Sequence, residues 1–162
     1  MNPTTTPGTV FSTPSDREVA WTRSFAAPRE RVFRALTEPE HVQRWMLGPE
    51  GWTMPICEMD LRVGGAWRCV WRNGDGDEFT LQGVFREIER PARIVYTESM
   101  MGSSEALQTI VLTEEDGITT MVSSVLYDSR AERDAAIATG MEEGTSQSYD
   151  RLAEVVVDLP IS

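Results

Sequence analysis

Between Met54 and Leu126 four turn signals, Val63-Gly64-Gly65, Asn73-Gly74-Asp75-Gly76, Arg90-Pro91 and Glu115-Asp116-Gly117, divide the chain into segments rich in Val, Ile, Thr and aromatic residues. Short β-prone runs separated by glycine turns pair with their sequence neighbours as antiparallel hairpins. Six strands are expected here. A seventh precedes them, because from Arg17 onward Val19, Trp21 and Phe25 alternate with polar positions until Ala27-Pro28.

Two proline-opened helices separate that first strand from the meander. Pro28 suits a first helical turn, and Val32, Phe33 and Leu36 recur at helical spacing through Arg29 to Thr37. Pro39 opens a second short helix carrying Val42, Trp45 and Met46, which Gly48-Pro49-Glu50-Gly51 breaks. After the meander, Ser129-Arg130-Ala131-Glu132 reads as a capping box, and helical character runs to about Val157, with Pro160 just beyond. A glycine inside a helix costs about 1 kcal/mol relative to alanine. The division expected is therefore a short helix before Gly140 and a main helix after it. Met141, Thr145, Ser148, Leu152 and Val155 or Val156 form one stripe of the main helix. The fold class is α+β.

Residues 1–15 hold five Thr, two Ser and three Pro and no charged side chain. They read as part of a disordered tail over residues 1–16, with one domain over 17–162. A chain of 162 residues hides roughly 70% of its unfolded surface on folding, enough for a core without disulfides or metal.

Composition removes several functions. All 15 basic residues are Arg, so a Schiff-base or P-loop lysine is excluded. One histidine, His41, and two cysteines, Cys57 and Cys69, cannot furnish the four N/S ligands of a structural zinc site. Two cysteines in a chain of this size read as reduced cytosolic thiols. No apolar run approaches the ~20 residues of a membrane helix, and no signal peptide is visible. The expectation is a cytoplasmic protein with no cofactor, no metal and no membrane partner. The formal charge is −11, and residues 98–162 hold 3 Arg against 13 acids. Nucleic acid is a poor partner for such a surface; the acidic half reads as a solubilising face.

Specific residues carry a resemblance. Arg23-Ser24-Phe25-Ala26-Ala27-Pro28, then Val32-Phe33-Arg34-Ala35-Leu36-Thr37-Glu38-Pro39 and Trp45, resembles the opening signature of the START-like (SRPBCC) superfamily. Within it the sequence is most similar to the branch of homologues of the activator of the heat-shock-protein-90 ATPase. Asp60-Leu61-Arg62-Val63-Gly64-Gly65 resembles that branch's hairpin, Gly83-Val84-Phe85-Arg86-Glu87-Ile88 with Arg90-Pro91 its next strand and turn, and Gly140-Met141-Glu142-Glu143-Gly144 with Ser148 and Arg151-Leu152 its final helix. The likeness covers roughly residues 17 to 157. It implies a helix-grip fold: a curved seven-stranded antiparallel sheet wrapped around a long C-terminal helix, with two short helices after the first strand and a cavity between sheet and helix. Many members of this branch carry Trp directly after the helix glycine, where this chain has Thr145. That exchange either enlarges the pocket or lets other aromatics fill it.

Candidate site residues follow from the strand pattern. Trp67, Cys69 and Trp71 alternate and so share a face, and Phe79, Leu81, Tyr96, Glu98, Met121 and Ser123 on later strands, with Met141, Thr145 and Ser148 on the final helix, complete the expected wall. Ordinary core packing explains the same pattern. Glu98 is the informative acid: beside Tyr96 on the concave face, burial would raise its pKa, whereas at a frayed strand end it would sit in water. His41 has no Ser, Cys or Asp placed to form a triad and reads as a solvent-facing or capping histidine. Arg23, Arg62 and Arg68 could grip an anionic ligand, but pairing with acids such as Asp60 and Glu58 is the plainer reading. Asp75, Asp77 and Glu78 read as a hairpin tip, not a calcium loop.

Three functions are open on these grounds. The first is a protein that holds a small apolar or aromatic ligand in the cavity. The second is a cyclase or hydrolase of a polyketide-like or aromatic substrate there, for which no catalytic constellation is visible. The third is a co-chaperone, although the eukaryotic activators carry an additional N-terminal chaperone-binding domain that a 16-residue Thr/Pro tail cannot replace. A homodimer through the exposed sheet face or an edge strand is left open.

Overall fold

A computed structural model of the chain describes residues 8–100 and 104–159. Its elements, in chain order, are β1 (Val10–Ser12), β2 (Glu18–Phe25), α1 (Arg29–Thr37), α2 (Pro39–Trp45), β3 (Trp52–Met59), β4 (Ala66–Asn73), β5 (Glu78–Glu89), β6 (Arg93–Met100), β7 (Ala106–Glu115), β8 (Ile118–Leu126), α3 (Arg130–Ala138) and α4 (Met141–Asp158). The strands form one antiparallel sheet in the order β1-β2-β8-β7-β6-β5-β4-β3. It curves around the helices without closing, as a helix-grip fold requires.

The sheet has eight strands where seven are expected. The addition is β1, within the stretch read as a tail. Val10, Phe11 and Ser12 pair with Thr22, Trp21 and Ala20 of β2, and the Phe11 ring lies 5.4 Å from that of Trp21. Residues 1–7 of the expected tail, like Pro160, lie outside the described residues.

The helix boundaries follow the local chemistry. Gly140 stands at φ 87, between α3 and α4; only a left-handed residue lets the chain turn there without strain. Ser129 Oγ accepts the Glu132 N–H at 3.1 Å and caps α3. The Glu132 carboxylate meets the serine hydroxyl at 3.5 Å.

Alternation decides the inner face. Val19, Trp21 and Phe25 of β2, Met121 and Val125 of β8, Ile110 and Leu112 of β7, and Phe85 of β5 are buried beneath the helices with Val32, Phe33, Val42, Leu152 and Val156. Polar groups tie α4 to the loop that follows α2. Gly48 N–H donates to Ser148 Oγ at 2.8 Å, and Arg151 Nη1 donates to Gly48 O at 2.8 Å. Gly144 packs on Pro49, whose Cδ would lie 3.3 Å from an added Cβ. Ser148→Ala is expected to cost about 1–2 kcal/mol in urea denaturation, since it leaves a partly buried N–H unpaired; an unchanged midpoint would show that the loop finds another acceptor.

Candidate functional site

β4 carries the first wall. Trp67, Cys69 and Trp71 are buried and share the inner face, and the register sets Gly83, Leu81 and Phe79 of β5 opposite them. At one end Trp71 stacks on Phe79 with ring centroids 4.8 Å apart, and Trp52 meets Phe79 edge-on at 5.3 Å. Trp71 Nε1 donates to Met46 O at 2.7 Å. That indole is the bolt joining the sheet to the end of α2, and the stack closes this end of the grip.

At the other end the rings of Trp67 and Phe85 are buried against Tyr96. The Trp67 ring meets Tyr96 edge-on at 5.4 Å, and Phe85 meets Tyr96 at 5.9 Å. Trp67 Nε1 reaches across β5 to Thr97 O on β6, at 3.0 Å. The crossing requires Gly83, because a Cβ there would sit 1.8 Å from Thr97 O and 2.7 Å from the indole nitrogen.

Glu98, two residues beyond Tyr96 and paired with Ala106 of β7, takes the same inner face. It is half-buried. Its carboxyl has no hydrogen bond and no cation among the described residues, and burial alone pushes its pKa from 4.5 up to about 7. Its oxygens are not sealed off, since they are not among the buried unpaired atoms. The Tyr96 hydroxyl is in the same condition: half-buried, unbonded, and raised by burial first and by the Glu98 charge second. Glu98 is therefore paired within the sheet and half-buried, not at a frayed strand end.

Other polar groups lie on the same side of the sheet. The Tyr149 hydroxyl bonds Ser123, and burial lifts its pKa to about 12. Ser123 also accepts from Gln108 Nε2 at 2.8 Å. Tyr127 is likewise raised to about 12 by burial, and its hydroxyl lies 3.7 Å from Met141 Sδ. The field of Glu98 is felt by Tyr96, Tyr127, Tyr149 and Cys69 alike, which makes it the centre of the constellation.

Of the expected wall residues, Trp67, Cys69, Tyr96, Glu98 and Ser123 lie on the inner face toward this end. Trp71 and Phe79 belong to the closed end, and half-buried Leu81 lies between the two ends. Met121 is wholly buried on β8. Met141 and Thr145 are half-buried on α4, whereas the Ser148 hydroxyl is spent on Gly48. Tyr149, Gln108, Tyr127 and Phe85 are additions. Tyr149 was legible, since Met141, Thr145, Tyr149, Leu152 and Val156 also follow helical spacing; the stripe through Ser148 lies one residue off it.

Cys57 and Cys69 face each other across β3 and β4 with their sulfurs 3.6 Å apart, both free. The hydrogen bond between them lowers Cys57, while Cys69 is raised by that bond and by burial. Half-buried Cys57 is therefore the attacking thiol. An aromatic disulfide reagent is expected to release two thiolate equivalents and leave a protein lighter by two hydrogens, as Cys69 displaces the mixed disulfide on Cys57. A stable single adduct in the mass spectrum would show that the pair cannot close.

The remaining candidates are structural. Arg23 donates to Asp150 Oδ1 on α4 at 2.6 Å, Arg62 pairs with Asp60 at 2.8 Å and Arg68 with Glu58 at 3.7 Å. His41 Nε2 meets Glu38 at 3.0 Å in the first turn of α2. Glu38, Glu40 and His41 bring potential metal-ligand atoms within 4.8 Å of one another, but the Arg34 guanidinium already bonds Glu38 and holds its carboxyl below the usual range. Asn73 Oδ1 accepts the Asp75 and Asp77 N–H groups at 2.9 Å each, the geometry of a hairpin tip. Outside the grip, a cleft of about 420 Å³ lies over Glu58, Arg68, Gln82, Val84 and Ser99 on the opposite face of the sheet. Another of about 200 Å³ touches the rim at Ala106 and Tyr127.

A family model described as activator of Hsp90 ATPase homolog 1-like protein matches residues 26–157. The chain belongs to this family. Solved structures agree with the assignment to the activator-homologue family. A protein from Rhodobacter sphaeroides is similar at 28% identity over 93% of this chain and 99% of its own, with a TM-score of 0.87. One from Chromobacterium violaceum is also 28% identical, over 85% of this chain and 96% of its own, with a TM-score of 0.75. A Mycobacterium smegmatis protein, 19% identical over 95% of this chain and 99% of its own with a TM-score of 0.83, shares the fold. No curated protein matches the sequence. As a member of the activator-homologue family the chain has no helix among the described residues that is long and apolar enough to cross a membrane. At the position where many of the branch carry Trp it has half-buried Thr145; one turn later the Tyr149 ring packs 6.0 Å from that of Trp45.

Proposed function

We propose that this protein binds a small, largely aromatic or apolar molecule between the β4–β7 part of the sheet and α4. The observation that carries the reading is the pair of interior polar groups without protein partners, the Glu98 carboxyl and the Tyr96 hydroxyl, framed by Trp67 and Phe85. Buried polar groups are ordinarily paired. Here both residues are only half-buried, and apolar walls with a few unsatisfied polar groups are the usual make-up of a ligand site. The family assignment supports the same class of function. The roles of Cys69, Trp71, Phe79, Leu81, Met121, Ser123, Met141, Thr145 and Ser148 as further ligand contacts belong to this proposal.

Native mass spectrometry of the protein purified from a rich extract, followed by denaturing extraction, tests it. A retained small molecule that is lost from Tyr96→Ala supports the reading. A ligand retained equally by Tyr96→Ala but lost on substitution of Gln82 or Val84 would move the site to the outer cleft.

A second reading, a cyclase or hydrolase in the same space, is favoured by one observation: an acid with a pKa of about 7 beside a phenol is poised to exchange protons at neutral pH. Once a turned-over substrate is identified, its pH-rate profile should carry an inflection near that value. An unchanged profile in Glu98→Gln would remove Glu98 from the chemistry.

A further inference from the structure

Two thiols stand opposite each other on the outermost pair of strands at one edge of the sheet. We infer that Cys57 and Cys69 form a redox site: a hydroperoxide oxidises the pair to a disulfide, and the disulfide fastens the edge strand β3 to β4. This chemistry needs no ligand in the interior.

The strand ladder presets the pair. Cys57 is the register partner of Cys69, with Ile56↔Val70 on one side and Glu58↔Arg68 on the other, and the sulfurs stand 3.6 Å apart. The hairpin that joins the strands is itself fixed. Asp60 N–H donates to Ala66 O at 2.9 Å and Gly65 N–H to Arg62 O at 2.8 Å, and the turn is so tight that a Cβ on Gly65 would collide with Asp60 O. Thiols held in this way need no search to meet, so bonding them avoids most of the entropy cost that an unconstrained pair carries.

Burial assigns the roles. Cys57 is half-buried on a strand with a neighbour on one side only, whereas Cys69 is wholly buried. Cys57 is therefore the sulfur that an oxidant reaches, and its hydrogen bond with Cys69 favours the thiolate. The thiolate attacks a peroxide oxygen and the O–O bond breaks. Sulfur gives up two electrons and becomes a sulfenic acid, while the departing alkoxide or hydroxide takes a proton and leaves as alcohol or water. Cys69 then attacks the same sulfur. The S–S bond forms, the S–O bond breaks, and the hydroxide leaves as water with the Cys69 proton. A dithiol reductant reverses the change by exchange, ending as its own disulfide. A small uncharged oxidant suits the position, since Glu58 adjoins Cys57 and the chain has a net charge of −11.

The mechanical consequence falls on β3. It pairs with β4 alone, and that pairing is interrupted between Thr53 and Ile56, where Pro55 has no N–H to give. Ahead of the interruption, Met54 is buried and its carbonyl accepts Gln43 Nε2 of α2 at 3.1 Å. Beyond it, the stretch from Ile56 to Met59 is the part that a Cys57–Cys69 bond would hold against β4.

The experiment treats the reduced full chain with one equivalent of hydrogen peroxide at neutral pH and reads intact mass, disulfide-mapped peptides and amide hydrogen exchange. The expected product is a monomer lighter by two hydrogens, with Cys57 joined to Cys69, and restored by dithiothreitol. Exchange at the amides of Ile56 to Met59 should slow by about tenfold in the oxidised form. A mass that stays unchanged, rises by whole oxygen atoms or doubles through an intermolecular bond would overturn the site. A disulfide that leaves this exchange unaltered would overturn the fastening of β3. Cys57→Ser should keep its mass under the same treatment, and Cys69→Ser should accumulate a sulfenic acid that dimedone captures. Oxidation of Cys69 in Cys57→Ser would overturn Cys57 as the point of attack. The wild-type mass and exchange decide the matter whether or not either variant folds.

Discussion

Replacing Gly83 with alanine is expected to cost at least about 3 kcal/mol, and the variant should be recovered unfolded or with a strongly reduced urea midpoint. The reason is local and severe. An added Cβ would fall 1.8 Å from Thr97 O and 2.7 Å from Trp67 Nε1, and the first of these is backbone that cannot swing aside. Gly83 lies within β5, between the register pairs Gln82↔Ser99 and Phe85↔Tyr96 with β6. Accommodating a methyl group there means parting β5 from β6 or breaking the Trp67–Thr97 hydrogen bond that spans them. The same rupture would displace the Trp67 ring from Tyr96, so ligand retention should fall with stability. Gly74→Ala is the control: nothing lies within 4 Å of its Cβ position, and its backbone φ is not positive. Its midpoint should stay within about 0.5 kcal/mol of wild type. A Gly83→Ala protein with a wild-type midpoint would show that β5 can bulge outward at no cost.

The second large effect belongs to Glu98 and is read as a pH dependence. Its carboxyl is raised from 4.5 in the unfolded chain to about 7 in the folded one. Between those values the folded state holds a proton that the unfolded state has released, so stability falls as pH rises through this interval. Below pH 4.5 the contribution is fully present; above 7 it is gone. The expected loss is about 3 kcal/mol over the interval, from roughly 1.4 kcal/mol for each unit. Glu98→Gln removes the titration. The variant should therefore gain on the wild type between pH 4 and pH 8 by up to that amount, and the change in the difference is the quantity to measure by urea denaturation. Taking the difference cancels groups common to both proteins. Among them is Glu38, whose lowered carboxyl has the opposite sign: its contribution is present above its unfolded pKa and lost as pH falls. A difference that does not move with pH would place Glu98 in water.

Gly83 and Glu98 differ in how far the sequence reveals their surroundings. Gly83 stands in a segment recognised by resemblance, yet nothing in the sequence around it says that a tryptophan from the preceding strand must cross it. Glu98 beside Tyr96 was legible as a candidate, and its facing was not, because a shift of one residue in register would turn it to solvent. The register with Ala106 places it inward. The same dependence explains Ser148. Helical spacing puts it on the inner stripe, but its hydroxyl accepts the Gly48 N–H a hundred residues away in sequence, leaving Tyr149 to meet Ser123 in the interior.

What the amino-acid sequence determined by itself was the order and kind of the elements. Proline and glycine act on the backbone through local sterics, and the period of apolar residues selects helix or strand within a few residues of chain. Strand, two short helices, meander and final helix are therefore legible, as is the shared face of Trp67, Cys69 and Trp71. The added strand β1 was not, because its pairing depends on an aromatic contact between Phe11 and Trp21, which sequence spacing does not encode. The character of the interior likewise belongs to the tertiary structure. Whether a buried carboxyl is paired depends on which side chains from β4, β8 and α4 arrive around it, and their arrival is decided by packing across the whole sheet. At Glu98 those neighbours are three phenols and a thiol, none of them a cation.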